Sequence, residues 1–327
     1  MEVTVNQTEM MEKIRASTDT YKREADHLVR MEGLGGTDAS VIVRRNPWKN
    51  IIQLWDEKVG NTIAPDLSDN EKIRWGILLE DLICREYTTR TGRKVRNVNR
   101  TFRHPEHSFM QGHIDRKIEG ENAGLEAKAV GLRQQKFWED GIPEHYKIQV
   151  MHYMAISGYD YFDVVALVGG QELKIHRIER DEEEIKMLIE AESRFWNNHV
   201  LTKVPPPPET TAETALLYPT SEFEKVVYLP TDMNDTPAKY MELQAEKNRV
   251  EKEIDALKTR LQDKMQDASY LEDSEGERVA SWPTYERSST DLKSIEKAEP
   301  ELCAKHSRTS SYRRFTFNTK YRREDGK

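Results

Sequence analysis

The sequence predicts an α/β fold with a mixed central sheet flanked by helices, followed by a C-terminal helical or coiled-coil segment and a small α+β extension. Three observations carry this. Helix-period and strand-period segments alternate up to about residue 203. The octets YFDVVALV and ELKIHRIE flank Gly169-Gly170, a hairpin signal. Four prolines then interrupt the chain in VPPPPE, residues 204–209, and the composition changes beyond them.

Taken in order, residues 9 to about 30 have helical spacing. GLGGTDASVIV is a glycine-rich turn that opens a helix, with Asp38 placed to cap it. Residues 47–59 predict a short helix with Pro47 in its first turn and Gly60 at its end. A longer helix over 70–91 stops at Gly92. Strands are expected near 95–103, 109–118 and 124–130, then a helix over 143–157, the glycine hairpin, and an acidic amphipathic helix over 181–199. Beyond the prolines, Tyr240, Leu243, Val250, Ile254, Leu257 and Leu261 follow alternating spacings of 3 and 4, with Lys247 interrupting the seam, as in a coiled coil or a helix packed on a neighbour. Strands are expected over 277–285 and 311–319, around a helix near 291–306. The domains expected are thus 1–203, a proline-rich linker 204–236, a helix 237–268 and a small α+β piece 269–327.

Composition narrows the function. The chain has 327 residues, a third of them charged, and a net charge of −8, which argues against indiscriminate polyanion binding but not against a local basic groove. Cys84 and Cys303 are too few for a disulfide framework or an iron–sulfur cluster. No membrane span or signal peptide is visible, and a cytoplasmic protein is expected.

GLEAKA, residues 124–129, is the stretch that carries chemistry. On a strand, Glu126 and Lys128 project to one face and Leu125 and Ala127 to the other. If HIDRKI pairs with it across the polar turn at 120–124, Asp115 comes beside Glu126. Two converging carboxylates repel unless a cation lies between them, and oxygen ligands favour Mg²⁺ or Mn²⁺. Glu80 falls in register with Ile73, Ile77, Cys84 and Tyr87, a face that reads as buried. Gln149 shares a helix face with His152 and Tyr153. Thr37 and Ser40 lie at the glycine turn, where backbone N–H groups can take an anion. Arg93, Lys94, Arg96, Arg100 and Arg103, with Arg133 and Lys136, are candidates to track a phosphate backbone. Trp48, Trp55 and Trp75 read as core residues.

The blocks GGTDASVIVRRNPWKN…LWDEKVG, WGILLEDLICREY, GHIDRKI…GLEAKAV and IPEHYKIQVMHYM, in that order over roughly residues 30–200, resemble the lambda-exonuclease-like, YqaJ-type phage recombinase nucleases. The tail WPTYERSSTDLKSIEKAEPEL…SSYRRFTF is similar to that of many phage members. The resemblance implies a PD-(D/E)xK nuclease core and Mg²⁺-dependent hydrolysis of phosphodiesters, with one or two ions and Mn²⁺ as a substitute. It implies processive 5′→3′ digestion of one strand from a double-stranded DNA end, a single-strand annealing protein as partner, and a ring-shaped trimer. By position, Asp115, Glu126 and the backbone carbonyl of Ala127 match the metal ligands, Lys128 the catalytic lysine, and Glu80 the supporting helix glutamate. Gln149 matches the motif glutamine and Ser40 a serine of the 5′-phosphate pocket. The arginine that precedes the glycine turn in a relative is Gly33 here, leaving Arg30, Arg44 or Arg45 to replace it. An endonuclease of the same fold and a non-catalytic recombination scaffold are the rival readings.

Overall fold

A computed structural model describes residues 31–62 and 70–318. The helix expected over 9–30 and Arg30 lie outside the described residues. The chain divides into two compact units, residues 1–217 and 218–327. The first therefore continues past the expected boundary at 203.

Its described elements are α1 (Gly36–Ile42), α2 (Ile51–Lys58), α3 (Glu71–Thr91), β1 (Val95–Asn97), β2 (Phe102–Arg103), β3 (Gln111–Gly112), β4 (Arg116–Ile118) and β5 (Ala123–Val130). A 3₁₀ segment, Leu132–Trp138, leads to α4 (Glu144–Ser157), β6 (Tyr161–Val168), β7 (Glu172–Glu179) and α5 (Glu182–Phe195), which runs into a π-helical turn, Trp196–Val200; α6 (Thr211–Leu217) closes the unit. The five-stranded sheet has the order β1-β4-β5-β6-β7. Only β5 and β6 are parallel, joined by the crossover through α4; the other pairs are antiparallel. Strands β2 and β3 pair separately, so the long strands expected over 95–103 and 109–118 are each split in two.

Two layers of helix cover the sheet. On one face Ile83, Cys84 and Tyr87 of α3 pack with Ile118, Leu125 and Val165. On the other, Val150, Met151 and Met154 of α4 and Ile185 and Leu188 of α5 pack on Phe162, Val164 and Ala166. Strand β6 is buried on both faces, which is why it reads as an unbroken apolar run. Its one charge, Asp163, is 2% exposed and accepts from Tyr87 Oη at 2.7 Å, Arg93 Nη1 at 3.0 Å and Arg177 Nε at 2.9 Å. Gly124 is required where β5 meets β6, since a Cβ there would lie 2.4 Å from the Phe162 ring.

Helix α2 begins later than Pro47 suggests. Asn50 accepts from Gln53 N and the Gln53 side chain accepts from Asn50 N, a reciprocal cap that fixes the start at Ile51. The N-terminal half of α3 departs from expectation. Ile73, Trp75, Ile77, Leu78 and Leu82 are exposed, and the helix meets the sheet through Leu79, Glu80 and the run from Ile83 onward. Trp55 is core, as its spacing suggests, but Trp48 is 59% exposed.

The second unit holds α7 (Thr236–Met265), β8 (Tyr270–Glu272), β9 (Arg278–Ser281), α8 (Leu292–Ala298) and α9 (Pro300–His306). The seam residues of α7 are all exposed, so the helix does not bury them within this unit. Pro300, which has no N–H to donate, splits the helix expected near 291–306. Residues 311–318 form no strand. Among the described residues no helix is long and apolar enough to cross a membrane.

Candidate active site

The sheet brings the D…ExK residues together. β4 pairs with β5 in the register Arg116↔Leu125, so one further step places Asp115 across from Glu126. Asp115 Oδ2 accepts from Ala127 N at 3.0 Å, which ties the loop end to the strand. Leu125 and Ala127 face the α3 layer, while Glu126 and Lys128 face α4.

Glu126 is 3% exposed. Its Oε1 accepts from Lys128 Nζ at 2.6 Å and from Gln149 Nε2 at 2.9 Å. Its Oε2 is buried with no hydrogen-bond partner. A buried carboxylate oxygen without a donor is costly, so this atom is suited to a cation. Burial and the negative charge of Glu126 push Asp115 up to about 7. Burial alone would depress the Lys128 ammonium, but Glu126 and Asp115 outweigh it and hold its pKa above the ordinary value. A divalent ion between the two carboxylates removes this repulsion, and the donor set fits one. Among the described residues no three His, Cys, Asp or Glu side chains converge on one point. Two carboxylates, the Ala127 carbonyl and water would then supply the ligands, in keeping with the several waters that Mg²⁺ usually retains.

Gln149 arrives on α4, buried from Gln149 to Ile156. Its amide also donates to Tyr153 Oη at 2.9 Å. The glycine turn packs directly on this pair, for a Cβ on Gly36 would sit 2.8 Å from the Tyr153 ring and 2.9 Å from Gln149 Cγ. Within the turn, Asp38 Oδ2 accepts from Gly35 N at 3.0 Å and pairs with Lys58 Nζ at 2.7 Å. Asp38 thus caps α1, as its position suggests.

Glu80 is not on a buried face. A third of its side chain is exposed, and it reaches Arg116 Nη1 at 2.5 Å. Arg116 Nη1 also donates to the Asp115 carbonyl at 2.7 Å, and its Nη2 meets Asp81 Oδ1 at 2.5 Å. Glu80 therefore acts on Asp115 through Arg116. The spacing did not single out Arg116, although it shares its side of the strand with the buried Ile118 and a buried arginine needs carboxylates.

The other expected binding residues are dispersed. Thr37 is exposed at the start of α1. Ser40 is buried, donating to the Thr37 carbonyl at 2.8 Å and accepting from Asn46 Nδ2 at 3.0 Å. Arg44 is held by both oxygens of Glu213, at 2.6 and 2.7 Å, and by the Pro207 carbonyl. Arg45 pairs with Glu144 on the surface. Arg93 is engaged by Asp163 and Glu121.

Known proteins share this arrangement of sequence. The YqaJ-like viral recombinase domain matches residues 27–160. "Uncharacterized protein YqaJ" of Bacillus subtilis (strain 168) is 32% identical over 310 residues, spanning 93% of this chain and 96% of the relative. Among solved structures, an alkaline exonuclease (LHK-Exo) from Laribacter hongkongensis superposes with a TM-score of 0.47 at 18% identity, over 55% of this chain and 94% of that one. A phage related exonuclease from Haemophilus somnus 129PT does so with a TM-score of 0.40 at 13% identity, over 52% and 96%. With an identity of this extent running through both units, the chain belongs to the YqaJ-like viral recombinase family.

Proposed function

We propose that this protein is a Mg²⁺-dependent exonuclease that digests one strand of linear duplex DNA in the 5′→3′ direction. The 3′ single strands left behind suit a single-strand annealing protein in phage-type recombination. The observation that carries the hydrolytic part is the free, buried Oε2 of Glu126 beside Asp115, with Lys128 on the other oxygen. The polarity, the annealing partner and a trimeric assembly rest on the family resemblance, and a cytoplasmic setting on the composition.

In this reading Asp115, Glu126 and the Ala127 carbonyl would hold the ion, with Mn²⁺ able to replace Mg²⁺. A bound divalent ion supplies Lewis-acid stabilisation of the phosphate and acidifies a water. Lys128, cationic at neutral pH, balances charge building on the phosphate oxygens. Gln149 fixes the rotamer of Glu126, and Glu80 fixes Asp115 by way of Arg116. Water attacks phosphorus in line, releasing a proton to solvent, as the opposite P–O bond breaks and the leaving oxygen takes up a proton. Thr37 and Arg45, exposed at the start of α1 and beyond its end, are assigned to the DNA end; Ser40, buried between Thr37 and Asn46, supports the turn, and Arg44 has a structural partner in Glu213.

The test is a digestion assay in Mg²⁺ with 5′-phosphorylated linear duplex, 5′-hydroxyl duplex and covalently closed circles, for wild type and Lys128→Ala. Loss of linear DNA alone, abolished by the substitution, is expected. Cutting of circles points instead to an endonuclease, and no cutting at any Mg²⁺ concentration to a non-catalytic scaffold.

A further inference from the structure

A cleft of about 400 Å³ opens beside the proposed catalytic pocket, lined by Arg45, Trp48, Gln134, Phe137, His145 and Tyr146 among others. This volume lies in the range of small-ligand clefts, about 300–1,000 Å³. Five of its ten lining residues are aromatic: Trp48, Phe137, Trp138, His145 and Tyr146. Trp48 and Phe137 are each 59% exposed, an unusual condition for two large aromatic residues on one cleft.

The cleft is continuous with the chemistry. Lys128 Nζ lies 4.9 Å from the centre of the Tyr146 ring. Tyr146 and His145 are 4.1 Å apart, and His145 and Trp48 4.8 Å apart with their planes nearly perpendicular. A run of contacts, each under 5 Å, therefore leads from the lysine to the exposed indole. His145 carries a buried Nε2 with no hydrogen-bond partner. Burial and the neighbouring Lys128 charge hold this imidazole down to about 4, so it is a neutral ring at neutral pH.

Exposed aromatic side chains that run up to Lys128, with Arg45 at the rim held by Glu144, suit a planar heterocycle attached to a phosphate. A peptide would find the same apolar walls but has no reason to be in register with Lys128. We infer that the cleft receives one nucleobase of the digested strand, the base flanking the phosphate held at Asp115, Glu126 and Lys128, stacked on Trp48. The inference rests on the nuclease reading. It makes Trp48 a positioning residue, which holds the strand so that a single phosphate meets the carboxylates.

The experiment uses the full-length protein and 5′-phosphorylated linear duplexes in which one of the first four nucleotides lacks its base. Binding is read by fluorescence anisotropy in Ca²⁺, and digestion of the intact duplex is read in parallel in Mg²⁺. One position is expected to weaken wild-type binding about tenfold, as loss of a stacked base does. In Trp48→Ala the intact duplex binds about tenfold more weakly and the penalty for the missing base disappears. Trp48→Phe restores both, and an unchanged melting temperature excludes misfolding. Indifference of the wild type to every missing base overturns the inference, as does a penalty that persists in Trp48→Ala. If the wild type digests the intact duplex yet shows no base dependence, the cleft assignment fails and the nuclease reading stands. If it digests nothing, the nuclease reading fails, and the binding scan still decides the cleft.

Discussion

Gln149 donates its amide to the same oxygen of Glu126 that Lys128 contacts, at 2.9 Å against 2.6 Å, and so leaves the second oxygen bare. A glutamine in this place orients without adding charge. Gln149→Ala should leave the fold intact and lower kcat about tenfold to a hundredfold, with a higher Mg²⁺ concentration needed for half-maximal rate. A variant with an unchanged Mg²⁺ requirement would remove Gln149 from the orienting role.

Asp115 and Glu126 oppose one another without an ion between them. Asp115→Asn should therefore abolish digestion while raising the melting temperature in EDTA, or at least not lowering it. Mg²⁺ should stabilise the wild type in proportion to the logarithm of its concentration above Kd and leave Asp115→Asn unmoved. Thermal melts across a Mg²⁺ series decide this, and equal stabilisation of the two proteins would count against a metal site here.

A second buried charge pair lies behind the site. His152 Nδ1 is 2.9 Å from Glu192 Oε1, and its Nε2 is 3.0 Å from the Gln111 carbonyl. Burial opposes protonation of the imidazole, but the Glu192 charge and both hydrogen bonds outweigh it and raise its pKa. Burial also raises the carboxyl of Glu192. We place the charge on His152, because the Gln111 carbonyl and the Glu192 carboxylate each accept a proton from a different ring nitrogen. A raised imidazole pKa adds stability below the ordinary value near 6.5, and the gain is lost as pH rises through the folded value. Glu192→Gln should then cost about 1–3 kcal/mol near pH 6, and the gap should narrow towards pH 9. Urea unfolding at three pH values measures it, and a constant gap would refute the assignment.

The close contact of Gly36 with Gln149 and Tyr153 makes that glycine a test of how the turn supports the site. Gly36→Ala should cost roughly 1–3 kcal/mol through overpacking, and lower kcat further by displacing the Gln149 side chain. Retained activity with a normal melting temperature would show that the helix shifts without disturbing Gln149.

Arg44 ends on Glu213, a carboxylate only 3% exposed. Arg44→Ala should lower stability by about 1–3 kcal/mol through an unpaired buried acid, and Glu213→Gln should lower it less. Both should keep any preference for a 5′-phosphate. Loss of that preference in Arg44→Ala with stability unchanged would return Arg44 to the DNA end.

The sheet and the clustering of Asp115, Glu126 and Lys128 were legible because strand alternation, a glycine hairpin and D…ExK spacing act over short distances. Glu126 and Lys128 face one space and Leu125 and Ala127 the other, as two-residue periodicity requires. What was illegible depended on long-range partners. The α3 spacing that suggested a buried Glu80 continues past the end of the sheet, where no β-layer lies beneath Ile73 and Ile77. Arg44 and Glu213 are 169 residues apart, and nothing local couples them. Trp48 looks like core in sequence because indoles usually are, yet Asn46 and the Asn50 cap form a tight bend there that turns it outward.

The parallel pairing of β5 and β6 also bears on timing. The β4–β5 hairpin can close early, bringing Asp115 and Glu126 together from neighbouring sequence, whereas Gln149 reaches them only after α4 crosses over and β6 docks. Contacts at greater sequence separation form later and more slowly. A chain still emerging from the ribosome thus carries the acidic pair without its glutamine and without the wall that excludes water. The cluster of Asp115, Glu126, Lys128 and Gln149 is therefore complete only once synthesis has passed the crossover.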